Sequence, residues 1–121
     1  MKTVLLIDDD QLLRQNIKIA IADDDIVVLE ANDGQEGLEL ALKEHPDVIV
    51  LDENMPKLQG QQVLEKLRND SWGEKVQVIA FTVNDDIALM NKKLQAGVTV
   101  YLDKSTTNPE QLAQLIRERI A

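Results

Sequence analysis

The stretch that decides the fold is Asp47-Val48-Ile49-Val50-Leu51-Asp52-Glu53-Asn54-Met55-Pro56. Four consecutive apolar residues, all but one of them β-branched, lie between Asp47 and a Pro-containing turn. An uninterrupted apolar run of that length is the pattern of a strand covered on both faces, as in a parallel sheet. Asp52 follows the last buried position, so its carboxylate is fixed at the sheet's edge. Alone, such an Asp is usually a turn or capping residue.

Working outward, four more apolar runs alternate with helical patterns. Thr3–Ile7 ends in Asp8-Asp9-Asp10, and Gln11–Ala22 places Leu13, Ile17, Ala20 and Ile21 on one helical face. Asp23–Asp25 leads into strand Ile26–Glu30, and Asn32-Asp33-Gly34 turns into a helix with Leu38, Ala41 and Leu42 inward. His45-Pro46 closes it, because the residue before Pro avoids the helical region. Beyond the central strand, Gly60 precedes a helix carrying Val63, Leu64 and Leu67, and Asn69–Glu74 is a polar loop. Strand Val76–Phe81 ends in Thr82. Asn84-Asp85-Asp86 can cap a helix with Ile87, Met90 and Leu94 inward, stopped by Gly97. Strand Val98–Leu102 is followed by Asp103-Lys104-Ser105. Asn108-Pro109-Glu110 then starts a last helix, whose stripe is Leu112, Leu115, Ile116 and Ile120.

Five such strand–helix units in 121 residues imply one α/β domain, a parallel sheet with helices on both faces. The favoured strand order, 2-1-3-4-5, puts the first and third strands together where the order reverses, and ligands bind beyond the carboxyl ends there. On that topology Asp8, Asp9, Asp52, Thr82 and Lys104 converge. Crowded carboxylates call for a cation, and hard oxygen ligands suit Mg²⁺. A carboxylate nucleophile, a divalent cation, a hydroxyl donor and a fixed ammonium together match phosphoryl transfer to Asp52. Asp10, nearest the helix, is read as its cap. Asp23–Asp25 lies at the opposite end of the sheet and is read as a solvated loop. So is His45, and Trp72 is expected at the surface or in a partner contact rather than in the site.

Composition narrows the classes. With one Phe, one Tyr and one Trp, the core must be aliphatic. No Cys means no disulfide, thiolate nucleophile or Cys-ligated zinc. No apolar run approaches the roughly 20 residues of a membrane span, and no signal peptide is expected. A net charge of −9 disfavours nucleic acid as a direct partner. A cytoplasmic location fits.

Leu6-Ile7-Asp8-Asp9, Asp52-x-Asn54-Met55-Pro56-x-x-x-Gly60, Thr82 and Tyr101-x-x-Lys104 together resemble a response-regulator receiver domain of two-component signalling, chemotaxis-regulator-like, across residues 1–121. The resemblance implies a flavodoxin-like (βα)5 three-layer sandwich. It implies that Asp52 accepts a phosphoryl group from a sensor histidine kinase or a histidine phosphotransfer protein. Asp9 and Asp52 would bind Mg²⁺, Asp8 would hold a metal water, and the backbone carbonyl of Asn54 would be a further ligand. Lys104 would pair a phosphoryl oxygen, Thr82 would bond another, and Tyr101 would turn inward behind it. Output would pass to a downstream protein or a fused effector domain, with phosphorylation-dependent dimerisation through the fourth helix, fifth strand and fifth helix. The chain would catalyse only its own phosphotransfer and dephosphorylation, and would not otherwise be an enzyme.

Two other classes stay in view. An HAD-like aspartyl-phosphate phosphatase would want an acid two residues after the nucleophile, where Asn54 stands, and a cap segment that this chain lacks. A receiver-like domain that is never phosphorylated would typically lack Asp52 or Lys104. Three positions depart from the receiver pattern. Ser105 replaces a usual Pro, so its peptide bond is expected trans and the loop differently shaped. Val83 replaces a small residue and is expected to narrow access. Gly37 replaces a usual Ala at a helix cost of roughly 0.5–1 kcal/mol.

Overall fold

A computed structural model describes residues 1–53, 55, 57–83 and 97–121. Strands β1 (Lys2–Ile7), β2 (Ile26–Ala31), β3 (Val48–Leu51), β4 (Gln77–Thr82) and β5 (Val100–Asp103) form one parallel sheet in the order β2-β1-β3-β4-β5. The helices among the described residues are α1 (Gln11–Ile21), α2 (Gly34–Glu44), α3 (Gly60–Arg68) and α4 (Pro109–Ile120). The expected helix from Asn84 lies outside the described residues.

Each central strand feeds two cores, which is why its sequence reads as unbroken apolar. Leu5, Ile7, Ile49, Leu51, Val78 and Ala80 face one way, packing with Leu38 and Ala41 of α2 and Val63, Leu64 and Leu67 of α3. Val4, Leu6, Val48, Val50, Ile79 and Phe81 face the other way, against Ile17 and Ile21 of α1 and Leu112, Ala113, Ile116 and Ile120 of α4. Alternation of period 2 within continuous runs thus builds three layers. All four β3 residues are buried.

Helix starts follow their sequence signals. Asp10 accepts from the Leu13 amide at 3.1 Å. Asp33 accepts from the Glu36 amide at 2.8 Å. Asn108 and Gln111 exchange side-chain and backbone bonds at 2.8 and 2.9 Å, with Pro109 at the first helical position. α2 ends at His45, whose φ of 47° is left-handed.

Some boundaries and faces differ from expectation. Leu42 is 39% exposed rather than inward, because the buried stripe of α2 runs through Gly34, Gly37, Leu38 and Ala41, leaving Leu42 one step round its flank. Val98 is buried but precedes β5; there the Thr99 hydroxyl accepts the Val78 amide at 3.1 Å in place of a strand carbonyl. Gly37 is more than a helix weakness, since a Cβ there would come within 2.6–2.8 Å of the Ile7 side chain. Ile7 fills the space that an Ala methyl would need. Trp72 is half-buried and stacked on His45 at 4.3 Å between ring centroids. No described helix is long and apolar enough to cross a membrane.

Candidate functional site

The reversal of strand order falls between β1 and β3, and both strands run one residue past their ladder into the site. The Asp8 amide donates to the Ala31 carbonyl at 3.1 Å, and the Asp52 amide to the Ile7 carbonyl at 3.0 Å. The Lys104 amide likewise donates to the Thr82 carbonyl at 3.0 Å. Backbone pairing therefore sets the root of each of these side chains.

The ammonium of Lys104 lies 2.7 Å from Asp8 Oδ2 and 3.3 Å from Asp52 Oδ2. Asp8 Oδ1 accepts the Asp10 amide at 2.9 Å, and Asp52 Oδ1 the Glu53 amide at 2.8 Å. Both residues are 5% exposed. Asp9 is exposed, and one oxygen from each of Asp8, Asp9 and Asp52 lies within 4.8 Å of the others. That donor set, all hard oxygen, could hold a small divalent cation.

The electrostatics follow from crowding and burial. Burial pushes the Asp8 carboxyl above its usual range, and neighbouring Asp52 adds to this, against the opposing bonds from Lys104 and the Asp10 amide. Burial works against the Lys104 charge, but the bond to Asp8 and the charge of Asp52 outweigh it and hold the ammonium above its ordinary range. Lys104 thus stays protonated at neutral pH.

Thr82 ends β4 at 1% exposure, and its hydroxyl has no hydrogen-bond partner among the described residues. An unsatisfied buried hydroxyl at a strand end is uncommon and calls for a functional reason. Tyr101 is half-buried against the α2–α3 core, three residues before Lys104. Asn54 lies outside the described residues. Every described peptide bond is trans, Lys104–Ser105 included, as the missing proline implied. Val83 is 67% exposed at the end of β4.

Sequence reasoning missed Arg14. Its guanidinium donates to the Asp8 carbonyl at 2.5 Å and to Glu30 at 3.0 Å, and Lys18 also reaches Glu30 at 3.2 Å. Glu30, on edge strand β2, is tied to the acidic loop through this arginine. The available signal was a cation one turn into the helix beside an acidic strand end. The loop after Asp52 is held as well. A Cβ on Gly34 would lie 1.7 Å from the Leu58 carbonyl oxygen, so the α2 start admits that loop only as glycine.

A family model described as response regulator receiver domain matches residues 4–117. The chain belongs to the response regulator receiver family. This receiver is 38% identical over 121 residues to the nitrate/nitrite response regulator protein NarL of Escherichia coli K12, covering 98% of this chain and 55% of that protein. It is 34% identical over 112 residues to the response regulator MprA of Mycobacterium leprae, covering 93% of this chain and 48% of that protein. The receiver thus spans about half the length of these curated relatives. Among solved structures, chemotaxis response regulator CheY4 of Vibrio cholerae superposes with a TM-score of 0.88 at 29% identity, covering 98% of each chain. The Francisella response regulator 1452 receiver domain superposes at 0.89 and 30% identity, covering 99% of this chain and 97% of that one.

Proposed function

We propose that this receiver accepts a phosphoryl group on Asp52 from the phosphohistidine of a sensor histidine kinase or a histidine phosphotransfer protein, and relays it as a change of shape. The observation that carries this reading is the placement of one ammonium between two buried carboxylates, with a third carboxylate beside them. A fully buried pair of acids would be an expense without a use.

Asp52 is the nucleophile. Its Oδ1 is held by the Glu53 amide, which fixes the plane of the carboxylate. An Asp52 oxygen attacks phosphorus, the P–O bond forms as the donor's P–N bond breaks, and the electron pair leaves on the imidazole. Asp8, Asp9 and Asp52 would hold Mg²⁺, which supplies charge neutralisation at the phosphoryl oxygens when bound. Lys104 shifts from the free carboxylates to a phosphoryl oxygen. The Thr82 hydroxyl, unpartnered among the described residues, gains an acceptor in the phosphorylated state.

Phosphorylation adds about −1.5 to −2 charge and three acceptor oxygens. Contacts that differ between two states shift their populations, and those of Thr82 and Lys104 differ. Tyr101, beside them in β5, belongs to the same switch. The receiving surface takes in β5 and α4. It contacts a downstream protein or a fused effector domain, and pairs two receivers on phosphorylation. The setting is cytoplasmic, nucleic acid is not a direct partner, and the chain acts only on its own phosphoryl group.

The test is intact mass after acetyl phosphate treatment with and without Mg²⁺. One added phosphoryl group is expected on the wild type with Mg²⁺ and none on Asp52→Asn. An adduct of equal yield on Asp52→Asn would refute the assignment.

A further inference from the structure

Lys104 is a long, flexible side chain that must arrive within hydrogen-bond reach of two separate carboxylates. Upstream, its backbone is tied to β4 through the Thr82 carbonyl. Downstream, one carboxylate oxygen organises the chain. Asp103 Oδ1 accepts the Ser105 amide at 2.9 Å and the Ser105 hydroxyl at 2.7 Å, spanning Lys104. The Asp103 carbonyl accepts the Thr106 and Thr107 amides at 3.2 and 3.0 Å, closing the turn. These two bonds from Ser105 hold the Asp103 carboxyl below its usual range. Asp103 is half-buried at the end of β5, and these carboxylate bonds go to Ser105 rather than to Asp8 or Asp52.

We propose that Asp103 and Ser105 are positioning residues for Lys104, the Asp103 carboxylate fixing the turn from which the ammonium reaches Asp8 and Asp52. The inference rests on the phosphoacceptor reading. The geometry supports it because the bonded turn brackets Lys104 on both sides. A misplacement of about 1 Å at a reacting group can cost roughly a hundredfold in rate. Losing two ordinary hydrogen bonds at the turn is expected to cost about tenfold.

Two readouts test it. The first is the rate of phosphoryl uptake from acetyl phosphate at saturating Mg²⁺. Asp103→Ala is expected to be about tenfold slower, and Ser105→Ala, which removes the hydroxyl donor and keeps the amide, to fall between Asp103→Ala and wild type. Asp103→Asn keeps an acceptor oxygen and should stay within about threefold of wild type, which separates the turn from the charge. In a Lys104→Met background, Asp103→Ala should cause no additional slowing. An equal slowing there would overturn the proposal, as would wild-type rates in Asp103→Ala. The second readout needs neither donor nor metal. The ¹H–¹⁵N signal of the Lys104 ammonium, assigned by its loss in Lys104→Arg, should be sharp in wild type and Asp103→Asn and broadened in Asp103→Ala. An unchanged signal in Asp103→Ala would refute the positioning role. Should the wild type take up no phosphoryl group, the phosphoacceptor reading falls, while the ammonium signal still decides the role of Asp103.

Discussion

At the carboxyl ends of the strands, Asp8 and Asp52 are 5% exposed and share the Lys104 ammonium. At the amino ends, Asp23, Asp24 and Asp25 are exposed, and Asp23 takes the Asp25 amide at 2.9 Å to make the turn into β2. Asp47, at that same end, takes the Thr3 amide at 2.8 Å and so pins β3 to β1. Each end is acidic, yet only the first buries its carboxylates against a cation. The difference teaches that acidic residues signal chemistry when burial leaves them dependent on a partner, and signal turns when water can solvate them.

Lys104→Met should break that contrast most severely. It leaves two buried carboxylates without their cation, and phosphoryl uptake should fall about a hundredfold, as for loss of a preorganised electrostatic group. Uptake within twofold of wild type would mean the two ends are equivalent. Trp72→Ala probes the other end. It removes the ring stacked on His45 and should lower stability by about 1–2 kcal/mol with no change in uptake rate. A matching loss of rate, read at a temperature where both proteins are folded, would couple the ends.

Glu30→Gln should have the smallest effect. Burial raises the Glu30 carboxyl, but bonds from Arg14 and Lys18 outweigh this and hold it below its ordinary 4.5. A depressed carboxylate stabilises the fold above its unfolded value, and that contribution fades as pH falls through the folded one. The wild type should therefore exceed Glu30→Gln by about 0.5–1 kcal/mol at pH 7, the pair being partly screened by solvent. The gap should close as pH falls below that ordinary value, in urea titrations across pH. A gap constant with pH would assign the effect to packing instead. Lys104 has the opposite sign: its pairing contributes fully below 10.5 and is lost as pH rises through its higher folded value.

The sheet was legible because Val48–Leu51, Val4–Ile7 and Val78–Phe81 are continuous apolar runs, and each is followed by a polar residue at the carboxyl end of the sheet. The positions of Asp8, Asp52, Thr82 and Lys104 were legible for the same reason: a strand's end is a fixed place, and the structure brings the first two and Lys104 into contact. What escaped depends on partners distant in sequence. The tie from Arg14 to Glu30 spans two elements, and the stack of Trp72 on His45 joins loops that periodicity cannot connect. Leu42 escaped because one helical step separates a buried stripe from its exposed flank. The Asp103–Ser105 turn was local and readable in principle, since Asp with Ser two residues on favours a hydrogen-bonded turn. Reading Ser105 only as a missing proline concealed it.

The contrast between the two ends is tested most directly by titrating beryllofluoride, a phosphoryl mimic, with Mg²⁺ into ¹⁵N-labelled protein and following backbone amide shifts. Shifts are expected to centre on Asp8–Asp10, Asp52–Glu53, Thr82–Val83 and Lys104–Ser105, with Asp23–Asp25, His45 and Trp72 unmoved, and none in Asp52→Asn. Shifts centred on Asp23–Asp25 or around His45, or persisting in Asp52→Asn, would contradict a phosphoryl site at the carboxyl ends of β1 and β3.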